Sequence, residues 1–352
     1  MSTASLMEHE DIFDILRKLA SVPTVTGYEQ NARETIKELL SGYVDDFWTT
    51  SWDNSVAVIN PAGKKRLLFA AHVDQIGFIV TSIDESGYLK FSPIGGWDAR
   101  VAYGSKVTVI TSKGSIRGVI GTIPPHLMKE KEKKIDFKEL VIDIGVDSKK
   151  EAEEAGVRVG DYIALHSEPE LIGKHRVIGS GMDDKAGLAS IIYAARMLAT
   201  RKNELGDISV YFVATVQEEI GLRGASMIGY ELKPDVAVIV DVTHAKSPET
   251  KEIAFVELGK GPVISIGPIY HREITESLIE IAEKHGIMYQ READPRGAGT
   301  DAWAIQIARG GVKTGLVSVP NRYMHSGVEM VDLRDMFNLA RLLVEYSVSM
   351  KI

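Results

Sequence analysis

The sequence of 352 residues contains no cysteine. This absence excludes a disulfide framework, a zinc site with thiolate ligands and a cysteine nucleophile. No run of eighteen apolar residues occurs, so we predict no transmembrane helix and no membrane partner. A Gly-x-Ser-x-Gly nucleophile elbow is also missing, which argues against a serine hydrolase. The first eight residues lack a basic segment followed by an apolar one, so the sequence predicts a cytoplasmic protein.

Basic residues are outnumbered by acidic ones. The 41 Lys and Arg against 49 Asp and Glu give a formal net charge of -8. This balance argues against nucleic acid or an anionic membrane as a partner. A hydrophobic content of 44% and a charged content of 26% are typical of a globular protein with one large core or two domains. The lack of cysteine and the abundance of Glu and Lys also fit a thermophile.

The apolar residues follow patterns typical of an α/β protein. Residues 210–216 and 236–240 are almost continuously apolar, like strands of a parallel sheet covered on both faces, and residues 186–199 predict a buried helix. Thr26 and Glu29 have the spacing of a capping box, with Thr26 as N-cap. A long middle segment shows only short strand-like runs separated by Gly and Ser. We therefore predict an α/β fold with a mixed, mostly parallel sheet between helices and a small inserted β-rich domain: 1–74 and 167–352 for the main domain, 75–166 for the insertion.

Several side chains that can bind metal ions follow apolar strand-like runs or precede an apolar helix. In open α/β sheets, ligands bind beyond the carboxyl ends of the strands, so these side chains can converge although they are scattered along the chain. Two imidazoles and three carboxylates suit a pair of divalent ions such as zinc or cobalt. The candidate ligands are His72, Asp183, Glu219, Asp241 and His325.

Neighbouring residues suggest how such a centre works. Asp74 falls on the same face of an extended chain as His72 and is placed to orient that imidazole. Asp183 has two oxygens that can bridge two ions, although an N-cap is the commoner role for Asp before a helix. Glu218 and Glu219 point in different directions, so Glu219 can bind metal while Glu218 takes a proton from the attacking water. Each motif also has a purely structural interpretation, and only their joint placement favours a metal centre.

These motifs together resemble the tetrahedral (TET) aminopeptidases, the two-metal glutamyl or deblocking aminopeptidases that sometimes carry an endoglucanase label. The matching segments span nearly the whole chain in one order. They are HVDQIGF (72–78), PIGG (93–96), DDK (183–185), VQEEIGLRGA (216–225), DVT (241–243), GTDA (299–302) and VPNRYMHS (319–326).

The resemblance implies a catalytic α/β domain interrupted by a β-rich domain for subunit association. It implies that Asp183 bridges two metal ions, one shared with His72 and Asp241 and the other with Glu219 and His325. Glu218 would be the general base and Asp74 would orient His72, and the bond after the bridging Asp is often cis. Homo-oligomers of this family are commonly hollow dodecamers with interior active sites that admit peptides. Gln75 replaces a common Glu, and no metal role is assigned to it.

Specificity is open at this point. The segment 291–298 is expected to form part of the wall that contacts the N-terminal residue of a peptide. Arg296 would favour an acidic residue by a salt bridge, whereas Trp303 would narrow the pocket for Gly or Ala. The simpler interpretation is that either side chain faces a subunit contact. Gly299 and Thr300 belong to a Gly-rich loop that we interpret as a substrate-lining turn, because it lacks the Lys of a phosphate-binding P-loop.

Three alternatives remain beside an aminopeptidase that removes N-terminal residues from peptides with a free N-terminus. The main one is a related two-metal amidohydrolase, either a carboxypeptidase or an N-acyl deacylase. A glycosidase is less favoured because the carboxylates that glycoside cleavage needs are assigned to metal. A metal-stabilised assembly without catalysis would lack Glu218 or a ligand, and none is missing.

Overall fold

The computed structural model describes residues 3–122, 126, 135–166, 168–248, 250, 255–297 and 299–350. The strands are β1 Asp46–Thr49, β2 Ser55–Ile59, β3 Lys65–His72, β4 Gly77–Ile83, β5 Leu89–Ile94, β6 Lys106–Thr111, β7 Gly114–Gly121, β8 Val141–Asp143, β9 Tyr162–Leu165, β10 Glu170–Ile172, β11 Arg176–Gly179, β12 Ile208–Thr215, β13 Val236–His244, β14 Val263–Ile266, β15 Gln290–Ala293, β16 Lys313–Asn321 and β17 Glu329–Asp332. The helices are α1 Thr3–Ala20, α2 Arg33–Leu40, α3 Ala99–Ala102, α4 Lys149–Glu154, α5 Met182–Ala199, α6 Arg223–Leu232, α7 Arg272–Lys284, α8 Asp301–Gln306 and α9 Leu333–Ser349.

An eight-stranded sheet forms the centre of the larger unit, in the order β1-β2-β12-β3-β13-β16-β14-β15. The inner strands β12, β3, β13 and β16 run parallel, whereas β2 and β14 join them antiparallel on either side. The parallel strands are almost entirely buried, as their apolar sequences predict. The predicted mixed, mostly parallel sheet is confirmed.

Helices cover both faces of this sheet because successive strand residues point in opposite directions. Leu67 and Phe69 of β3 belong to the core that α1, α2, α5, α7 and α9 complete on one face. Leu68 and Ala70 belong to a second core, which α6 and α8 complete on the other face. Nearly every residue of α5 is buried, which confirms the predicted buried helix.

The middle of the chain folds into a closed barrel with the strand order β4-β5-β8-β7-β6-β9. Pairing between β9 and β4 closes the barrel. Phe78 packs against Phe91 and Trp97 in its separate core. The predicted β-rich insertion is therefore a barrel, and a small three-stranded sheet of β10, β11 and β17 accompanies the two larger ones.

The predicted capping box at Thr26 is wrong. The short 3-10 helix there starts at Glu29, follows Tyr28 and has no side-chain cap. The hydroxyl of Thr26 instead donates to Asp74 Oδ2 at 2.8 Å. The Glu29 carboxylate accepts from the N–H groups of Gly27 and Gln217. Both side chains thus form hydrogen bonds with loops around the candidate site. These tertiary hydrogen bonds replace the capping hydrogen bonds that the sequence pattern predicted.

None of the helices in the described ranges has the length and apolar character needed to cross a membrane.

Candidate metal centre

The side chains predicted to bind metal lie at the carboxyl edge of the large sheet. His72 is the last residue of β3, Asp241 lies in β13, and Glu219 follows the end of β12. His325 follows β16, and Asp183 lies in the first turn of α5. Adjacent parallel strands end at the same edge, so distant segments of the chain bring all five side chains to one site.

Asp183 lies between the two imidazoles. Its Oδ1 atom is 3.0 Å from Nε2 of His72, and its Oδ2 atom is 3.3 Å from Nε2 of His325. The same His325 nitrogen is 3.5 Å from Glu219 Oε2, and the His72 nitrogen is 3.8 Å from Asp241 Oδ1. Two groups of side chains therefore share Asp183, whose peptide bond to Asp184 is cis.

The residues of this site fit divalent cations. Ligand atoms around a tetrahedral zinc ion lie about 3.3 Å apart, because Zn–N and Zn–O bonds are about 2.0–2.1 Å long. The 3.0–3.8 Å separations in the two groups are of this size. In addition, the buried Oε1 atom of Glu219 has no hydrogen-bond partner among the described residues. Such a buried oxygen is costly unless a cation or donor accompanies it.

Asp184 is a further carboxylate of the site, which the sequence interpretation did not include among the ligands. With His72 and Asp241 it forms a group whose ligand atoms all lie within 4.8 Å of one another. Its Oδ1 atom accepts a hydrogen bond from the main-chain N–H of Gly187 at 3.0 Å. Its buried Oδ2 atom has no partner in the part of the chain that the structure describes. Burial, aided by the charge of Asp241, raises the pKa of Asp184 well above its ordinary value.

The site contains several buried carboxylates, whose ionised forms require positive charge nearby. Burial raises the pKa of Glu218 to about 10 and that of Asp241 to about 8, against the favourable influence of the nearby His72. Hydrogen bonds with Asp183 and Glu219 raise the pKa of His325 to about 11. Glu218 and Asp241 therefore hold protons at neutral pH in the absence of cations, and metal ions are an alternative source of balancing charge.

Asp74 holds the loop that carries the two glutamates. Its Oδ1 atom accepts from the main-chain N–H of Glu218 at 3.0 Å, and its Oδ2 atom accepts from that of Glu219 at 3.3 Å. The Nδ1 atom of His72 lies 3.0 Å from the main-chain oxygen of Asp74 and 3.6 Å from its carboxylate. The residue predicted to orient His72 thus contacts it mainly through the backbone, while the carboxylate positions the glutamates.

Glu329 is a buried residue that the sequence interpretation missed. It accepts hydrogen bonds from the main-chain N–H groups of Asp183 at 3.2 Å and His325 at 2.7 Å. An acidic residue in the otherwise apolar run 328–331 was the available signal, since a buried charge requires partners. Gln75, to which no metal role was assigned, accepts a hydrogen bond from the fully buried Lys185.

A cavity of about 810 Å³ opens onto the centre. Gly299, Thr300 and Trp303, the predicted substrate residues, contribute to its lining. Arg296 is exposed and does not belong to the lining. Two carboxylates that were not predicted, those of Glu292 and Asp294, do belong to it.

Two imidazoles and several buried carboxylates lie at the carboxyl edge of a mostly parallel sheet, beside a large cavity. This is the arrangement of side chains with which metal-dependent hydrolases bind their ions. The model of the M42 glutamyl aminopeptidase family matches residues 54–342, and the chain belongs to that family. The resemblance inferred from the motifs is thereby confirmed, and the protein is a peptide-bond hydrolase of the aminopeptidase type.

Individual relatives agree with this assignment over nearly the full length of the chain. A lysyl aminopeptidase of Pyrococcus furiosus is 38% identical over 334 residues, which cover 94% of this chain and 95% of the relative. The structure of a TET aminopeptidase from a marine sediment archaeon, Thaumarchaeota archaeon SCGC AB-539-E09, aligns with a TM-score of 0.92 at 32% identity and covers 97% and 98% of the two chains. The TET1 peptidase of Pyrococcus horikoshii aligns with a TM-score of 0.85 at 36% identity and covers 96% and 99%.

Proposed function

We propose that the protein removes N-terminal residues from peptides with two divalent metal ions, zinc or cobalt, and that Glu218 is the general base. The observation that carries this proposal is the position of Asp183, whose two carboxylate oxygens each face a different imidazole. A carboxylate in that position suits a bridge between two ions. His72 and Asp241 would complete one set of ligands, and Glu219 and His325 the other.

Bound divalent ions supply Lewis-acid polarisation of a carbonyl and a lowered pKa for water. Glu218 then takes the proton of the attacking water and passes it to the leaving amine. Its Oε2 atom lies 4.0 Å from Nε2 of His72, so the base faces the centre. Burial raises the pKa of Glu218, and the neighbouring carboxylates of Asp241 and Glu219 raise it further. Neutralising these two charges would lower the pKa, so that an ionised Glu218 can accept a proton.

The carboxylates also account for the requirement for a free N-terminus. An α-ammonium group is attracted to the acidic edge of the centre, whereas an acetylated N-terminus carries no charge there. Binding of that group places the first peptide carbonyl next to Glu218, so one residue is released at a time.

We also propose a homo-oligomer, with a dodecamer as the expected form. The TET1 peptidase of Pyrococcus horikoshii can assemble into a tetrahedron or a large octahedral shell. Residues 75–166, which contain the barrel, would provide the association domain, while residues 1–74 and 167–352 would carry the catalytic centre.

The test is peptide cleavage by chelator-treated enzyme before and after addition of zinc or cobalt. We expect metal-dependent cleavage of free peptides and none of their N-acetylated counterparts. Glu218→Gln should lower kcat by roughly 100-fold or more while metal content is kept. Glu280→Gln is the matched control, because Glu280 is exposed on α7. Cleavage of acetylated peptides alone would replace this proposal with an N-acyl deacylase.

A further inference from the structure

We propose that Glu292 and Asp294 form the subsite for the N-terminal side chain of the peptide and that this subsite selects lysine or arginine. This inference rests on the proposed function and specifies its substrate class. Both carboxylates line the same cavity as the metal centre, but neither belongs to the groups that converge on the imidazoles. They are therefore free to bind substrate rather than metal.

Glu292 is linked to the metal centre through the sheet. It lies on β15, in register with Ser265 of β14, and its Oε2 atom accepts a hydrogen bond from the hydroxyl of Thr243 at 2.8 Å. Thr243 lies two residues beyond Asp241 on β13. A short stretch of strand therefore fixes the carboxylate relative to a metal ligand. This arrangement suits recognition of a side chain next to the scissile bond.

Asp294 is also held in place. Its Oδ2 atom accepts from the hydroxyl of Tyr270 at 2.6 Å, and its Oδ1 atom accepts from the main-chain N–H of Gly297 at 2.8 Å. The groups that donate hydrogen bonds to Glu292 and Asp294, two hydroxyls and one main-chain N–H, are all neutral. They orient the carboxylates without cancelling their charge, so each keeps its attraction for a cation.

The lining of the cavity includes neither Lys nor Arg among the described residues. Its two imidazoles with acidic partners, those of His72 and His325, face carboxylates of the metal centre rather than Glu292 or Asp294. The nearest basic residues in sequence face elsewhere: Arg291 pairs with Glu283, and Arg296 is exposed outside the lining. No ion pair between described residues involves Glu292 or Asp294. An acidic N-terminal side chain would be repelled here, and a cationic one would be attracted.

Apolar lining residues favour a long side chain. Trp303 is 41% exposed and faces the cavity, together with Leu222 and Met324. The indole packs directly on Gly297, where a Cβ atom would lie 2.3 Å from Trp303 Nε1. Such a ring can cover the aliphatic stem of lysine or stack with a guanidinium group. Lysine and arginine have a long aliphatic stem and a cationic end. The stem suits the apolar part of the lining, and the cationic end suits the two carboxylates.

The experiment compares kcat/KM for peptides that differ only in the first residue: Lys, Arg, norleucine, Leu or Glu. We expect the Lys and Arg peptides to exceed the norleucine peptide by about 10- to 100-fold, as charged hydrogen bonds predict. Glu292→Gln and Asp294→Asn should each reduce that ratio about 10-fold, because each removes an attraction that only the cationic side chains have. Glu280→Gln, which removes the same charge outside the cavity, should leave the ratio unchanged.

The outcomes separate this inference from the proposed function. Metal-dependent cleavage with norleucine, Leu or Glu preferred over Lys would refute the cationic subsite and leave the aminopeptidase intact. An equal loss for all five peptides in Glu292→Gln would show that this residue binds the α-ammonium group, which would also overturn the inference. No cleavage of any free peptide with zinc or cobalt would contradict the proposed function itself.

Discussion

At the scale of single residues, carboxylates that contact the backbone position the site. Asp74 binds the main chain of Glu218 and Glu219, and Glu329 binds the main chain of Asp183 and His325. Each of these two carboxylates therefore holds two residues of the candidate site in place. Asp183 and His325 come from distant parts of the chain, whereas Glu218 and Glu219 are neighbours in one loop. Such outer contacts commonly set how well a metal site is preorganised.

Glu329→Gln tests this idea. The amide keeps one acceptor but directs an NH2 group at a main-chain N–H, so either Asp183 or His325 loses its anchor. We expect roughly 10- to 100-fold weaker cobalt or zinc binding, measured by competition with a chromophoric chelator. Glu280→Gln should bind metal like the wild type. A lower Tm with unchanged metal affinity would show that Glu329 supports only the fold.

The candidate ligands were predictable because each one stands beside a recognisable apolar segment. His72 ends a run of buried residues, and Asp241 follows another. Asp184 and Glu329 were missed because their importance depends on neighbours that are distant in sequence. A carboxylate oxygen of Asp184 lies within 4.8 Å of ligand atoms of His72 and Asp241, and no local spacing reveals this proximity. Arg296, conversely, stands near the right loop but outside the cavity lining.

At the scale of elements, α5 joins packing to chemistry. Its first turn carries Asp183 and Asp184, and its remainder fills the core against α1, α9 and β3. Gly187 lies where the carboxylate of Asp184 folds back onto the helix. The small residue is required by this close approach rather than by backbone conformation.

We therefore expect Gly187→Ala to destabilise the protein, although replacing Gly by Ala within a helix usually stabilises it. In an ordinary helix this change stabilises by about 0.5–1 kcal/mol. Here the new Cβ atom would lie 2.2 Å from Asp184 Oδ1, so the carboxylate must move. We expect a loss of about 1–3 kcal/mol in the free energy of unfolding, measured by urea denaturation. Gly121→Ala is the control, because no atom lies within 4 Å of its added Cβ; a neutral or stabilising Gly187→Ala would disprove the close contact.

Local sequence patterns predicted where strands and helices lie along the chain better than they predicted how these elements are arranged. The predicted strand at residues 210–216 corresponds to β12, and the predicted helix at 186–199 to α5. Closure of the barrel was not predictable, because it depends on pairing of β4 with β9, some eighty residues apart in the chain. Local alternation of apolar and polar residues indicates that strands exist but does not specify which strands pair.

At the scale of the whole molecule, the buried carboxylates of the site link stability to pH. In the metal-free protein, burial raises the pKa of Asp241 and of Glu329 to about 8 and that of Glu218 to about 10. Unfolded carboxyl groups titrate near pH 4, so these three groups hold more protons in the folded metal-free protein than in the unfolded chain above that pH. Their contribution to the free energy of unfolding is therefore greatest at low pH and falls as the pH rises from about 4 towards 10.

The proposed cations would replace those protons and remove the penalty on the ionised carboxylates. We therefore expect chelation to lower the Tm more at pH 9 than at pH 6, measured by scanning calorimetry with and without EDTA. Re-addition of zinc or cobalt should restore the higher Tm at pH 9. Asp241→Asn, which removes one titrating carboxylate and one proposed ligand, should reduce the difference between the two pH values. An equal loss of Tm at both pH values would mean that the buried carboxylates do not depend on cations for their charge balance.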